Sequence, residues 1–96
     1  MICIDEVVSY GGAKARVLVE TSDSSTCKEV LEVWRRRDVS RALELVRSHG
    51  GCRLVSENPL QVVSRDGKVR VTLEPMNFLA RTFWGTLVER VREYCE

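Results

Sequence analysis

The chain is poor in several residue types that carry chemistry. It has one histidine, two prolines, six aromatic side chains, no Cys-x-x-Cys pair and no apolar run beyond a few residues in its 96 positions. Four cysteines far apart with a lone histidine give little support to a structural zinc site, so no metal and no cofactor are expected. The apolar runs fall far short of the roughly 20 residues a spanning helix needs, and Met1 to Glu6 has no basic leader region; a soluble cytoplasmic protein away from membranes is expected. Fifteen basic residues against fourteen acidic ones leave a formal charge of +1, which provides no global pull toward nucleic acid. Phosphate-loop spacing is missing around Gly11-Gly12 and Gly50-Gly51, and no serine or cysteine has a positioned base. Catalysis by this chain alone is not expected.

What is present is an ordinary globular mixture, 44% hydrophobic and 30% charged, long enough for one modest core over residues 1–96. Ile2 to Tyr10 and Ala13 to Glu20 are β-rich runs joined by Gly11-Gly12, which predicts a hairpin. Pairing Tyr10 with Ala13 sets Val8 against Ala15 and Ile4 against Val19, but puts Glu6 opposite Val17 on the face that should be buried. Thr26 and Glu29 have capping-box spacing, and Cys27, Val30, Leu31 and Trp34 share a face, so a helix is expected from about Thr26 to Arg37. Asp38 interrupts that face, and Val39, Ala42, Leu43 and Val46 begin a new series, either a kink or a second short helix. His49-Gly50-Gly51 ends it, with His49 read as a helix C-terminal group rather than a base.

Cys52 to Ser56 is a short strand candidate. Asp66-Gly67 predicts a two-residue turn pairing Arg65 with Lys68, which sets Leu60 against Leu73, Val62 against Val71 and Ser64 against Val69. Glu74-Pro75 is read as the opening of a final helix from about Met76 to Tyr94. On its wheel, Met76, Leu79, Phe83, Leu87 and Tyr94 form one apolar stripe, and Trp84, Val88, Val91 and Cys95 form a second beside it. Together they cover roughly half the circumference, more than the arc of about 100° a sheet-packed helix needs. Phe83, Trp84, Leu87, Val88, Val91 and Cys95 are therefore the expected interface with another polypeptide, and Trp84→Glu is expected to favour monomer. The four cysteines are read as buried free thiols, with one or two disulfides as the alternative.

The last third, Leu60 through Asp66-Gly67 and Glu74-Pro75 to Val91 with Leu79-Ala80-Arg81 and Leu87, resembles the small dimerising subunit of the KEOPS tRNA-modification complex. Ala13 to Arg37, a strand, a Ser/Asp-rich turn and a helix, resembles that family's opening. The two parts cover a little over half of the chain; the run Ile2 to Tyr10 and the stretch Val39 to Pro59 depart from the family. The resemblance implies an α+β fold with an antiparallel sheet and two helices on one face. With the two hairpins above, the expected architecture is one α+β domain: an antiparallel sheet built from two hairpins, with helices packed on one face. The resemblance further implies a non-catalytic assembly subunit of a threonylcarbamoyladenosine-forming complex. Such a subunit is a homodimer or a heterodimer with a paralogue, docks an ATPase-fold catalytic subunit, and meets tRNA only indirectly. The competing expectation is a small RNA-binding module using Arg35, Arg36, Arg37, Arg41 and Arg53, because guanidinium forks bind phosphate.

Overall fold

The computed structural model describes all of residues 1–96. Its elements in chain order are β1 (Ile2–Tyr10), β2 (Ala13–Thr21), α1 (Ser24–Val33), α2 (Val39–Ser48), β3 (Cys52–Glu57), β4 (Leu60–Ser64), β5 (Val69–Pro75) and α3 (Phe78–Cys95), with a 3-10 turn at Trp34–Arg36. The strands form one five-stranded sheet in the order β1-β2-β5-β4-β3, and every neighbouring pair is antiparallel. This is the expected α+β class. The second hairpin is extended by β3 into a three-stranded meander, and three helices rather than two lie against the sheet.

Alternation along the strands assigns the faces. Ile4, Val8, Val17, Val19, Leu60, Val62, Val71 and Leu73 are buried under the helices, while Asp5, Val7, Lys14, Arg16, Arg53 and Arg70 line an open face. The first hairpin has the expected register, Tyr10 with Ala13, Val8 with Ala15 and Ile4 with Val19. Glu6 does lie opposite Val17, and the 3-10 turn explains how: the Trp34 indole N–H donates to Glu6 Oε2 at 3.0 Å, and Arg37 closes on the same carboxylate. That indole bond, with the Arg37 guanidinium beside it, holds the Glu6 carboxyl below its usual range.

Several boundaries are corrected by local hydrogen bonding. Asp23, not Thr26, caps α1, its carboxylate accepting from the Thr26 N–H at 2.7 Å; Thr26 is buried and Leu31 is exposed. The chain breaks at Arg37, which takes a left-handed φ of 53°, and Asp38 restarts it by accepting from the Ser40 N–H. Val39–Ser48 is therefore a separate helix rather than a kinked continuation. Pro75 ends β5, paired with Ala15, instead of opening α3. The cap of α3 is Asn77, whose Oδ1 accepts from both Ala80 N–H and Lys14 N–H while its Nδ2 donates to the Gly12 carbonyl. One amide thus fixes the start of α3 to the tip of the first hairpin.

The Asp66-Gly67 connection is a four-residue loop, not two. Ser64 Oγ accepts the Val69 N–H at 3.1 Å and Asp66 accepts the Lys68 N–H at 2.9 Å, replacing the Arg65–Lys68 rung. Because the lengthening is symmetric, Leu60 still meets Leu73 and Val62 still meets Val71. The free-thiol reading is also corrected: Cys3 is bonded to Cys27 and Cys52 to Cys95. Each bridge joins an edge strand to a helix, an adjacency created by tertiary folding. No helix is long and apolar enough to cross a membrane.

Candidate interaction surface

α3 carries the two apolar stripes, and the sheet takes the one assigned to a partner. Trp84, at 7% exposure, is buried with Ala80, Val88 and Val91 in the core of a single copy, and its indole N–H donates to the Glu57 carbonyl at 3.0 Å. Cys95 is committed to Cys52. Trp84, Val88, Val91 and Cys95 are therefore internal contacts, and Trp84→Glu would place a charge in the core rather than open an interface. Phe83 and Leu87, from the same set of candidates, lie on the other stripe. Phe83 is 58% exposed, Leu79 is exposed and Leu87 is half-buried. A signal for this assignment was in the sequence. Ala80, Trp84, Val88, Val91 and Cys95 recur without a gap at helical spacing, whereas Arg90 interrupts the flank formed by Leu79, Phe83, Leu87 and Tyr94.

That flank borders a groove. Beside Phe83 lies a concavity of about 210 Å³, walled by Phe83, Leu87 and Trp84 from α3 and by Tyr10, Ala13 and Ala15 from the first hairpin. Leu87 also belongs to a second concavity of about 320 Å³ between α3 and α2, where Leu43 and Tyr94 face it and Ser40, Glu44 and Arg90 form the polar edge. The two share Leu87 in their walls, the one at the hairpin end apolar and the other mixed. Tyr10, absent from the residues singled out in the sequence, stands half-exposed at the apolar end, its hydroxyl donating to the Arg37 carbonyl at 2.6 Å. Arg47 lies over the Tyr94 ring, 4.6 Å from its centroid, and steadies the far wall.

The five arginines of the RNA reading do not form one patch. Arg35, Arg36 and Arg41 gather at the 3-10 turn with Glu32 among them. Arg37 is held by Glu6, and Arg53 sits on β3 at the opposite edge of the sheet.

His49 ends α2 as its C-cap, with Nδ1 2.7 Å from Asp66 Oδ2 and Nε2 3.7 Å from a Glu29 carboxylate oxygen. Ser64 Oγ donates to the other Asp66 oxygen at 2.7 Å. The carboxylate sits between hydroxyl and imidazole, so His49 is not placed to take the serine proton; the cluster ties the loop to α2. The Ser64 hydroxyl, then the Lys68 N–H and His49, hold the Asp66 carboxyl down at about 2, against an ordinary 3.8. A lowered folded value means the stabilisation is complete above the unfolded value and fades as the pH falls through the folded one. Asp66→Asn is expected to lose stability near neutral pH and to show a shallower acid limb than wild type between pH 4 and about 2, followed by circular dichroism.

Compared with known proteins, the chain matches no family model, no curated protein and no solved structure.

Proposed function

We propose that this chain is a non-catalytic assembly subunit, dimerising through the outer flank of α3, and that the assembly it serves is the tRNA-modifying kind its sequence resembles. The observation that carries the reading is Phe83, more than half exposed on a folded core beside a groove lined by apolar side chains. Exposed aromatic anchors next to a pocket are the usual centres of protein interfaces. Tyr10 and Leu87 line the same groove, and Leu79 is exposed on the same flank of α3. A charge of +1 per copy does little to oppose self-association.

The resemblance gains support from where its parts lie. Ala13 to Arg37 and Leu60 to Val91 supply β2, β5 and β4, three adjacent central strands, together with α1 and α3. The departing stretches add β1 to one edge, β3 to the other, and α2. The extra strands thus occupy the edges of the sheet, while Ile4, Val8, Ala42, Val46 and Cys52 from these segments complete the core. Two disulfides set a condition on the setting: a cytoplasmic subunit of this construction belongs in a hyperthermophile, where intracellular bridges persist.

The test has two parts. Sedimentation of the wild type is expected to give a dimer with a dissociation constant of about micromolar order, and Phe83→Glu a folded monomer. Recovery of the tagged protein from its native lysate is expected to bring down a tRNA-modifying ATPase-fold subunit. A wild-type monomer at high concentration would overturn the proposal, and tRNA binding by the isolated chain with a steep salt dependence would overturn it in favour of the arginine reading.

A further inference from the structure

The open face of the sheet carries a separate feature, a concavity of about 500 Å³ lined by Arg53, Val63, Ser64, Arg65 and Gly67. Register explains how the arginines meet there. Val63 on β4 is paired with Arg53 on β3 and with Arg70 on β5, so two long cationic side chains flank one half-buried valine on the same face. Arg65 follows Val63 by two positions and continues that face. Its N–H donates to the Gly51 carbonyl at 3.0 Å, and its side chain lies across Gly51. A Cβ at Gly51 would come within 3.0 Å of Arg65 Nε, and the φ of +102° there already demands glycine. The absent side chain leaves the bed on which Arg65 rests beside Arg53.

None of these arginines has a carboxylate partner. Arg16, Arg37 and Arg92 are ion-paired, whereas Arg53, Arg65 and Arg70 make no such contact. The loop's own carboxylate, Asp66, is turned to Ser64 and His49, and the nearest acid by register is Glu20, opposite Arg70 and away from the pocket centre. Like charges gathered without a counter-charge repel one another, and a bound anion reverses the sign of that interaction. Guanidinium forks suit tetrahedral oxyanions with two or more charges. The volume is that of a small-molecule site, the lining holds no aromatic ring on which successive bases could stack, and the near-zero net charge supplies no field for a long polyanion.

We propose that this pocket binds the phosphoryl groups of a small anion, free or at the end of a nucleotide. Arg53 and Arg65 grip the oxygens and Val63 forms the floor. The site is independent of the dimer surface on α3.

The experiment is an amide chemical-shift titration of the oxidised full chain at low salt with pyrophosphate, with ADP and with a short RNA. Saturable shifts centred on Gly51, Arg53 and Val63 to Gly67 are expected, with a dissociation constant below about 1 mM for pyrophosphate. Arg53→Gln and Arg65→Gln should each weaken binding roughly tenfold, since each removes a charge-assisted fork, while Arg36→Gln at the distant turn should leave it unchanged. Equal affinity for pyrophosphate and ADP means that the phosphates alone are held, and tighter ADP binding means that the nucleoside also rests on Val63. The proposal fails if no saturation is reached, if the Arg53→Gln/Arg65→Gln double variant binds as well as wild type, or if the RNA binds more tightly than both small anions.

Discussion

Removing the Cys52–Cys95 bridge by paired alanine substitution is expected to lower stability by about 4 kcal/mol, and removing Cys3–Cys27 by about 3.5 kcal/mol. The figures follow from the chain closed by each bridge, with sequence separations of 43 and 24 residues, whose freedom in the unfolded state the bridge curtails. Against a total stability of about 5–15 kcal/mol for a domain of this kind, either loss is severe. The location adds to it. Cys52 begins the edge strand β3 and Cys95 ends α3, so the bridge fastens the last turn of the helix to a strand with only one neighbour. Urea midpoints with and without reductant measure the effect, and intact mass should be lighter than the reduced chain by one hydrogen per cysteine. Coincident unfolding curves in the two conditions would show that the bridges contribute nothing.

Trp84→Ala is expected to cost about 3–5 kcal/mol, the usual range for emptying a buried aromatic site, whereas Phe83→Ala next to it should change stability by only about 0.5 kcal/mol. Adjacent residues on one helix thus separate the two stripes: Trp84 fills the space over the sheet and bonds the Glu57 carbonyl, while Phe83 stands in solvent at 58% exposure. Trp84→Phe should fall between, since it keeps most of the ring volume and gives up the indole hydrogen bond. Thermal melts of the three variants check the order. If Phe83→Ala proves as damaging as Trp84→Ala, then the sheet-facing side of α3 has been misassigned, and with it the proposed dimer surface.

Local signals in the sequence carried the sheet a long way. Gly11-Gly12 and Asp66-Gly67 each set a register that the strands keep, and the alternation of Val17 and Val19, or Val62 and Val71, says which face is covered. Helix starts were less legible, because capping depends on which polar side chain the backbone presents. Asp23 and Asn77 took the roles expected of Thr26 and Pro75. Glu6 looked like a mismatch because its partner, the Trp34 indole, is 28 residues away. The cysteine pairs were illegible for the same reason, since β1 meets α1 and β3 meets α3 only after the sheet has assembled. For α3, periodicity revealed a surplus of apolar surface, and only the break at Arg90 in the outer stripe hinted at which stripe the sheet would claim. The packing of Trp84 against the meander decided that.

The pairing of β2 with β5 has a consequence of a different kind. It joins residues far apart in the chain, Ala15 with Pro75 and Thr21 with Val69, and neither covalent bridge crosses it: Cys3–Cys27 encloses β2 and lies wholly in the first half of the chain, and Cys52–Cys95 encloses β5 and lies wholly in the second. The oxidised protein is two stapled leaves hinged at Gly50-Gly51 and closed along a purely noncovalent seam. That seam is made of long-range pairs, the kind of contact that costs the most loop closure to form. It is also the line along which two molecules at high concentration would exchange leaves, each completing its sheet with the other's strands.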